Sequence, residues 1–190
     1  NKREEQLRMA KLTPREMPST NSSGKCPSKM SFIPGGVFLA GNVYSLKEMS
    51  INALCMDQYE VTQADYKRVM GSNPSKFKGG NRPVEQVTWH EAKAYCEKVG
   101  KSLPTKWEWE KAAKAGTTTK YYCGNEPDTT YAWYGEDWDR GHHPVGQKKP
   151  NAFGLYDMSG NVWEWTDSVS SWDASTKVVG GGSWVHNVAD

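Results

Sequence analysis

The chain has 190 residues, with 24 Lys and Arg against 22 Asp and Glu, a formal balance of +2. That length suits one domain of ordinary size, and the near-neutral total excludes nucleic-acid binding driven by bulk charge. No apolar run reaches the roughly 18 residues that span a bilayer. The chain opens on Asn1 with no apolar leader behind it. A targeting peptide, if the protein carries one, is therefore expected to have been removed already.

Hydrophobic residues make up 36% of the chain, yet it holds 9 Trp, 9 Tyr, 18 Gly and 10 Pro. Few aliphatics, many large rings and many chain breakers predict a loop-rich domain packed on aromatics, with most Trp residues in the core. The four cysteines, Cys26, Cys55, Cys96 and Cys123, form an even set without C-x-x-C spacing. This fits an exported protein with at least one disulfide and speaks against a cysteine zinc site.

Residues 1–25 read as a separate charged tail and linker, and residues 26–190 as the domain. The tail carries the basic excess, in Lys2, Arg3, Arg8, Lys11, Arg15 and Lys25 against Glu4, Glu5 and Glu16. Pro14, Pro18 and the run from Ser19 to Gly24 make its second half a linker. Mixed charges describe a solvated segment. A protein partner is nevertheless expected through this tail or the loop surface.

From Met30 to Leu39 the pattern predicts a hairpin turning at Pro34-Gly35. Ile51 to Tyr59 reads as a strand. Three helix starts follow, at Thr62, Thr88 and Thr105, each with an acid three residues on, as in a capping box. Gly71, Gly100 and Gly116 are the expected stops. The second helix places Trp89, Ala92, Tyr95, Cys96 and Val99 on one stripe, which predicts a buried Cys96. After Gly116 the chain breaks into short turns, and the last recognisable element is Val178 to Trp184.

Several motifs then stand in one order: Met30-Ser-Phe-Ile-Pro-Gly-Gly-Val-Phe, Tyr59-Glu60-Val61-Thr62, Leu103-Pro104-Thr105 with Trp107-Glu108-Trp109-Glu110, Pro144-Val145-Gly146, Gly154-Leu155-Tyr156-Asp157, Gly160-Asn161-Val162-Trp163-Glu164-Trp165 and Gly181-Gly182-Ser183-Trp184. Together, over roughly Cys26 to Trp184, they resemble the formylglycine-generating enzyme, or sulfatase-modifying factor, domain. The resemblance implies an irregular α+β fold similar to C-type lectins, with few short helices and strands. Activity does not follow from fold.

In the oxidases of that family, two cysteines just after the Gly-Gly-Ser-aromatic motif hold copper(I) as a thiolate pair. Here Ser183 matches the family's active-site serine, but the first cysteine position is His186. The family's arginine-rich closing segment is absent up to Asp190, so the C-terminal end of the domain reads as incomplete. The iron chemistry of other members lacks its histidine cluster: His90, His142, His143 and His186 do not form one, and the adjacent His142 and His143 read as polar loop surface. The resemblance also implies calcium, held by the carboxylates of Asp157 and Glu164 and the carbonyls of Gly160 and Val162, and structural in role. A second calcium region maps near Trp133 to Asp139, with Glu136, Asp137 and Asp139. Weighed against the family, the cysteine pairings are Cys26 with Cys55 and, more speculatively, Cys96 with Cys123.

The reading is then a non-catalytic binding or structural module, exported to periplasm, cell envelope or cell surface. One alternative is a copper- and oxygen-dependent formylglycine-generating oxidase acting on sulfatase cysteines. The other is a lectin-like receptor presenting ligand at Trp184 to Asp190. Ser183 has no evident His–Asp partners for a hydrolase triad.

Overall fold

A computed structural model describes residues 25–42 and 44–186. The tail assigned to residues 1–25 falls almost wholly outside the described residues. Among the described residues, six short strands and three short helices organise the chain: β1 (Met30–Ile33), β2 (Gly36–Ala40), β3 (Lys47–Ile51), β4 (Leu54–Asp57), α1 (Gln63–Met70), α2 (Trp89–Lys98), α3 (Lys106–Lys114), β5 (Glu164–Val169) and β6 (Lys177–Gly180). A 3-10 turn lies at Trp138–Arg140. The fold is α+β and loop-rich.

The helices start where their local chemistry dictates. Thr62, Thr88 and Thr105 each accept the amide three residues on. Glu91 and Glu108 complete full capping boxes by accepting the Thr88 and Thr105 amides. Asp65 instead takes the Thr62 hydroxyl and pairs with Arg68. Gly71 closes α1 as its left-handed cap; in α2 and α3 the cap falls one residue before the expected glycine, at Val99 and Ala115.

The strands form three separate antiparallel ribbons, β1 with β4, β2 with β3 and β5 with β6. The hairpin expected over Met30 to Leu39 is therefore not formed: Pro34-Gly35 is a corner that carries the chain from one ribbon to the next. A β-carbon on Gly35 would lie 2.7 Å from the Ala53 amide nitrogen, so the corner presses on the turn between β3 and β4. The strand expected from Ile51 to Tyr59 is likewise split, with Ile51 ending β3 and only Leu54–Asp57 forming β4.

The core is small and mostly aliphatic. Ile33, Ala112, Leu155 and Met158 are buried together, with Leu54, Met56, Trp109, Tyr122 and Phe153 packed around them. Trp184 is 5% exposed, whereas Trp138, Trp163 and Trp172 are exposed, so the Trp residues are not chiefly core. The rings instead stack on one another at the rim: Trp138 on Trp184 at 5.2 Å and Trp133 on His143 at 3.5 Å between centroids.

Where sheet is scarce, buried amide side chains stand in for it. Asn151 donates to the carbonyls of Ala112 and Ala113 at the end of α3 and accepts from the amides of Phe153 and Leu155. Gln63 donates to the Phe77 and Pro83 carbonyls and accepts from Gly79 and Asn73. Cys26 and Cys55 are joined in a disulfide that ties the domain's start to β4. Cys96 and Cys123 are free thiols, which corrects the second pairing. Cys96 lies on the half-buried face of α2, while Cys123 sits in a turn after α3, its sulfur 4.0 Å from the Glu126 carbonyl.

Candidate functional site

The loop Gly160-Asn161-Val162-Trp163-Glu164 is held from several sides. Asn161 is fully buried, with a left-handed backbone of φ 59°. Its Nδ2 donates to Glu60 Oε2 at 2.7 Å and to the His143 carbonyl at 3.3 Å, and its Oδ1 accepts the His143 amide at 2.8 Å. Its own amide donates to the Trp133 carbonyl, and its carbonyl accepts from the Trp184 amide. One asparagine thus gathers the segments around Glu60, Trp133, His143 and Trp184. Gly160 is required beside it, because any β-carbon there would overlap the Trp133 carbonyl.

Glu60 is a site residue that sequence reasoning missed, although the motif Tyr59-Glu60-Val61-Thr62 was in view. Its two oxygens accept from Asn161 and the Val162 amide. Glu164 accepts from the Trp109 indole at 2.8 Å. Asp157 accepts from the Gly146 amide through Oδ2, while its Oδ1 is buried with no hydrogen-bond partner. Loss of water pushes all three carboxyls up: Glu60 well above its usual range, aided by the charges of Asp157 and Glu164, Asp157 above its own, and Glu164 to about 7. Among the described residues none of the three forms an ion pair with Lys, Arg or His.

That uncompensated acidity is what a hard cation requires. No group of three His, Cys, Asp or Glu side chains among the described residues converges to hold a metal. A cation at the predicted set would therefore draw on the carboxylates of Asp157 and Glu164, with the rest of its oxygens from carbonyls and water. The open Oδ1 of Asp157 fits that role.

The second acidic region is already engaged. Glu136 accepts from His143 Nε2 at 2.7 Å. His143 stacks flat on Trp133, and the Lys148 ammonium sits 3.6 Å from the centroid of the same Trp133 ring. Asp137 and Asp139 flank and form the 3-10 turn. His142, expected at the surface, is fully buried beside Phe77 and Trp184, with neither ring nitrogen hydrogen-bonded and Glu85 at 3.6 Å. Consecutive residues point to opposite sides here, so one histidine reaches the core and the other the rim.

Ser183 and His186 come together within one turn. Ser183 Oγ lies 2.5 Å from His186 Nδ1, and the imidazole rests edge-on against Trp163. No cysteine accompanies them: Cys26 and Cys55 are bonded to each other, and Cys96 and Cys123 occupy other parts of the fold.

A cleft of about 740 Å³ opens between β4, α2 and the start of β5. Tyr95, Val99, Leu103 and Met158 line it together with Glu60 and Glu164. By exposed area these two carboxyls are only half-buried. Protein packed around the carboxyl groups themselves desolvates them despite that exposure.

These features define a loop-built α+β domain latched around a Gly-Asn-x-Trp-Glu-Trp turn. The family model of the sulfatase-modifying factor enzyme 1-like domain matches residues 14–190, and the chain belongs to that family. It is 32% identical over 234 residues to the chaperone protein LppX of Paenibacillus barcinonensis, covering 90% of this chain and 83% of that protein. It is 43% identical over 116 residues to the inactive C-alpha-formylglycine-generating enzyme 2 of Bos taurus, covering 54% of this chain and 38% of that one, so the match spans well under half of that relative. Among solved structures, Treponema denticola variable protein 1 superposes with a TM-score of 0.73 at 30% identity, over 82% of this chain and 83% of that one. Among the described residues no helix is long and apolar enough to cross a membrane.

Proposed function

We propose that this chain is a non-catalytic, protein-binding member of its family, an exported module of a cell-envelope assembly whose loops are braced by calcium. The observation that carries it is the closed Ser183–His186 pair. A copper(I) centre of the family's type needs two soft thiolates beside the serine. Here an imidazole already engaged by the serine hydroxyl holds the first of those positions. The similarity to an inactive family member and to a chaperone protein supports binding over turnover. The Cys26–Cys55 disulfide supports an oxidising compartment.

The test is direct. The copper-loaded protein is incubated with oxygen and a sulfatase-type cysteine peptide, and aldehyde is measured by mass spectrometry. No conversion is expected, and turnover would overturn the reading.

Calcium belongs to the same proposal, with Asp157, Glu164 and the Gly160 and Val162 carbonyls as its ligands. It would crosslink the turn at Asp157 to the start of β5 at Glu164. At a hundredfold excess over Kd it would add about 2.7 kcal/mol, or about 5–10 °C in melting temperature for a domain of this size. An identical melting curve in calcium and in chelator removes the metal from the proposal.

A further inference from the structure

The chain enters the domain beside the cleft. Pro27, Ser28 and Met30 line it, and Cys26, just before them, is bonded to Cys55, which lines it too. Consecutive residues lie 3.8 Å apart between Cα atoms. The chain upstream of Lys25 therefore leaves the described residues close to the cleft. Tyr95, Val99 and Leu103 give the cleft an apolar lining. Glu60 and Glu164 line it as well, and their charge is left to the calcium loop.

The family match begins at residue 14, so residues 14–24 fall inside the matched span although they lie outside the described residues. Residues 14–18 read Pro-Arg-Glu-Met-Pro. Methionine is unbranched and fills irregular apolar space. A proline on either side of the Arg-Glu-Met run restricts the backbone, so less freedom is lost on docking. Residues 19–24 are Ser-Thr-Asn-Ser-Ser-Gly, a linker composition. Met17 stands eight positions before Lys25 (25 − 17), and a linker of that length spans about 16 Å on average. An apolar side chain tethered within that radius meets the cleft at an effective concentration in the millimolar range.

We infer that residues 14–18 occupy this chain's own cleft, with the Met17 side chain against Tyr95, Val99 and Leu103 and with Arg15 and Glu16 turned to water. The cleft is then covered in cis by a strap, and a partner that uses it must first displace that strap. This goes beyond the protein-binding reading, because it assigns the cleft an occupant from within the chain.

The test uses the full chain. Cys96 lines the cleft and Cys123 does not, so alkylation of these two free thiols reports the cleft and the background in one sample. At an effective concentration about ten times the segment's own Kd, the strap covers about nine-tenths of the clefts. Met17→Glu replaces the apolar contact by a charge, so Cys96 alkylation speeds up about tenfold while Cys123 is unchanged. Met17→Leu keeps the slow rate, and Met9→Glu, upstream of the matched span, leaves it unaltered. A capped peptide of residues 12–18, added at about 10 mM to the Met17→Glu chain, restores slow Cys96 alkylation. The same peptide with glutamate in place of its methionine does not.

Equal Cys96 rates in the parent chain and in Met17→Glu overturn the inference. So does equal acceleration at Cys123, which marks general loosening, and so does an added peptide that gives no protection. Faster Cys96 alkylation of the parent chain on tenfold dilution would make a second copy the occupant and overturn it too. The copper assay reports catalysis and the calcium melts report the loop, so a failure here leaves those readings standing.

Discussion

Replacing Asn161 by alanine removes a buried latch whose contacts are individually visible. The bond to Glu60 is to an acid and contributes about 1.5–3 kcal/mol, and the two bonds with the His143 backbone about 1 kcal/mol each. Alanine at the left-handed backbone of this position costs about 1–2 kcal/mol more. The total is about 5–7 kcal/mol, against a whole-domain stability of about 5–15 kcal/mol. For a domain of this size that corresponds to a fall in melting temperature of about 10–25 °C. Thermal and urea unfolding measure it. Asn161→Gly separates the parts, since glycine accepts the backbone and should be milder by about 1–2 kcal/mol. A loss below about 1.5 kcal/mol for Asn161→Ala would refute the claim that this side chain latches the Glu60 and His143 segments to the loop.

Three further outcomes are expected. Gly160→Ala forces a β-carbon into the Trp133 carbonyl, and the variant should be insoluble or melt at least about 10 °C lower; near-native melting would show that the parallel contact between Trp133 and Gly160 yields easily. Reducing the Cys26–Cys55 disulfide, which spans 29 positions, should cost about 3–4 kcal/mol in the chain-entropy model, seen by comparing melting with and without reductant. His142 is held below its ordinary pKa by burial, so the unfolded chain takes up its proton first as pH falls through about 6.5. Stability from this group is complete above that pH and is lost on acidification below it. The facing groups are Glu85, which opposes the effect, and Arg82 and His143, which add to it. His142→Phe should flatten the slope between about pH 6.5 and 5; an unchanged slope assigns it elsewhere.

The parts of the fold legible in the sequence were those decided by neighbours a few residues apart. Thr62, Thr88 and Thr105 announce helix starts because a cap is completed within four residues. The ordered motifs fixed the family for the same reason. Pairing between distant strands was not legible. The segment from Met30 to Leu39 alternates like a hairpin, yet each half finds its partner across the β3–β4 turn, Ile33 opposite Leu54 and Gly36 opposite Ile51. At the candidate site, Asp157 and Glu164 could be picked out by residue type, but Glu60 lies about a hundred positions away from Asn161 and joins it only through the fold. The adjacent His142 and His143 gave no sign that one would be fully enclosed, because burial there comes from Phe77 and Trp184, distant in sequence.

Gln63, Asn151 and Asn161 grip mainly main-chain atoms of the segments they hold. Where such a clasp touches peptide groups, it is indifferent to which side chains those peptides bear. The outward-facing positions of the clasped loops are thus released to change composition while their path through space stays put. A handful of amides can therefore preserve the shape of such a surface while its chemistry drifts from one descendant to the next.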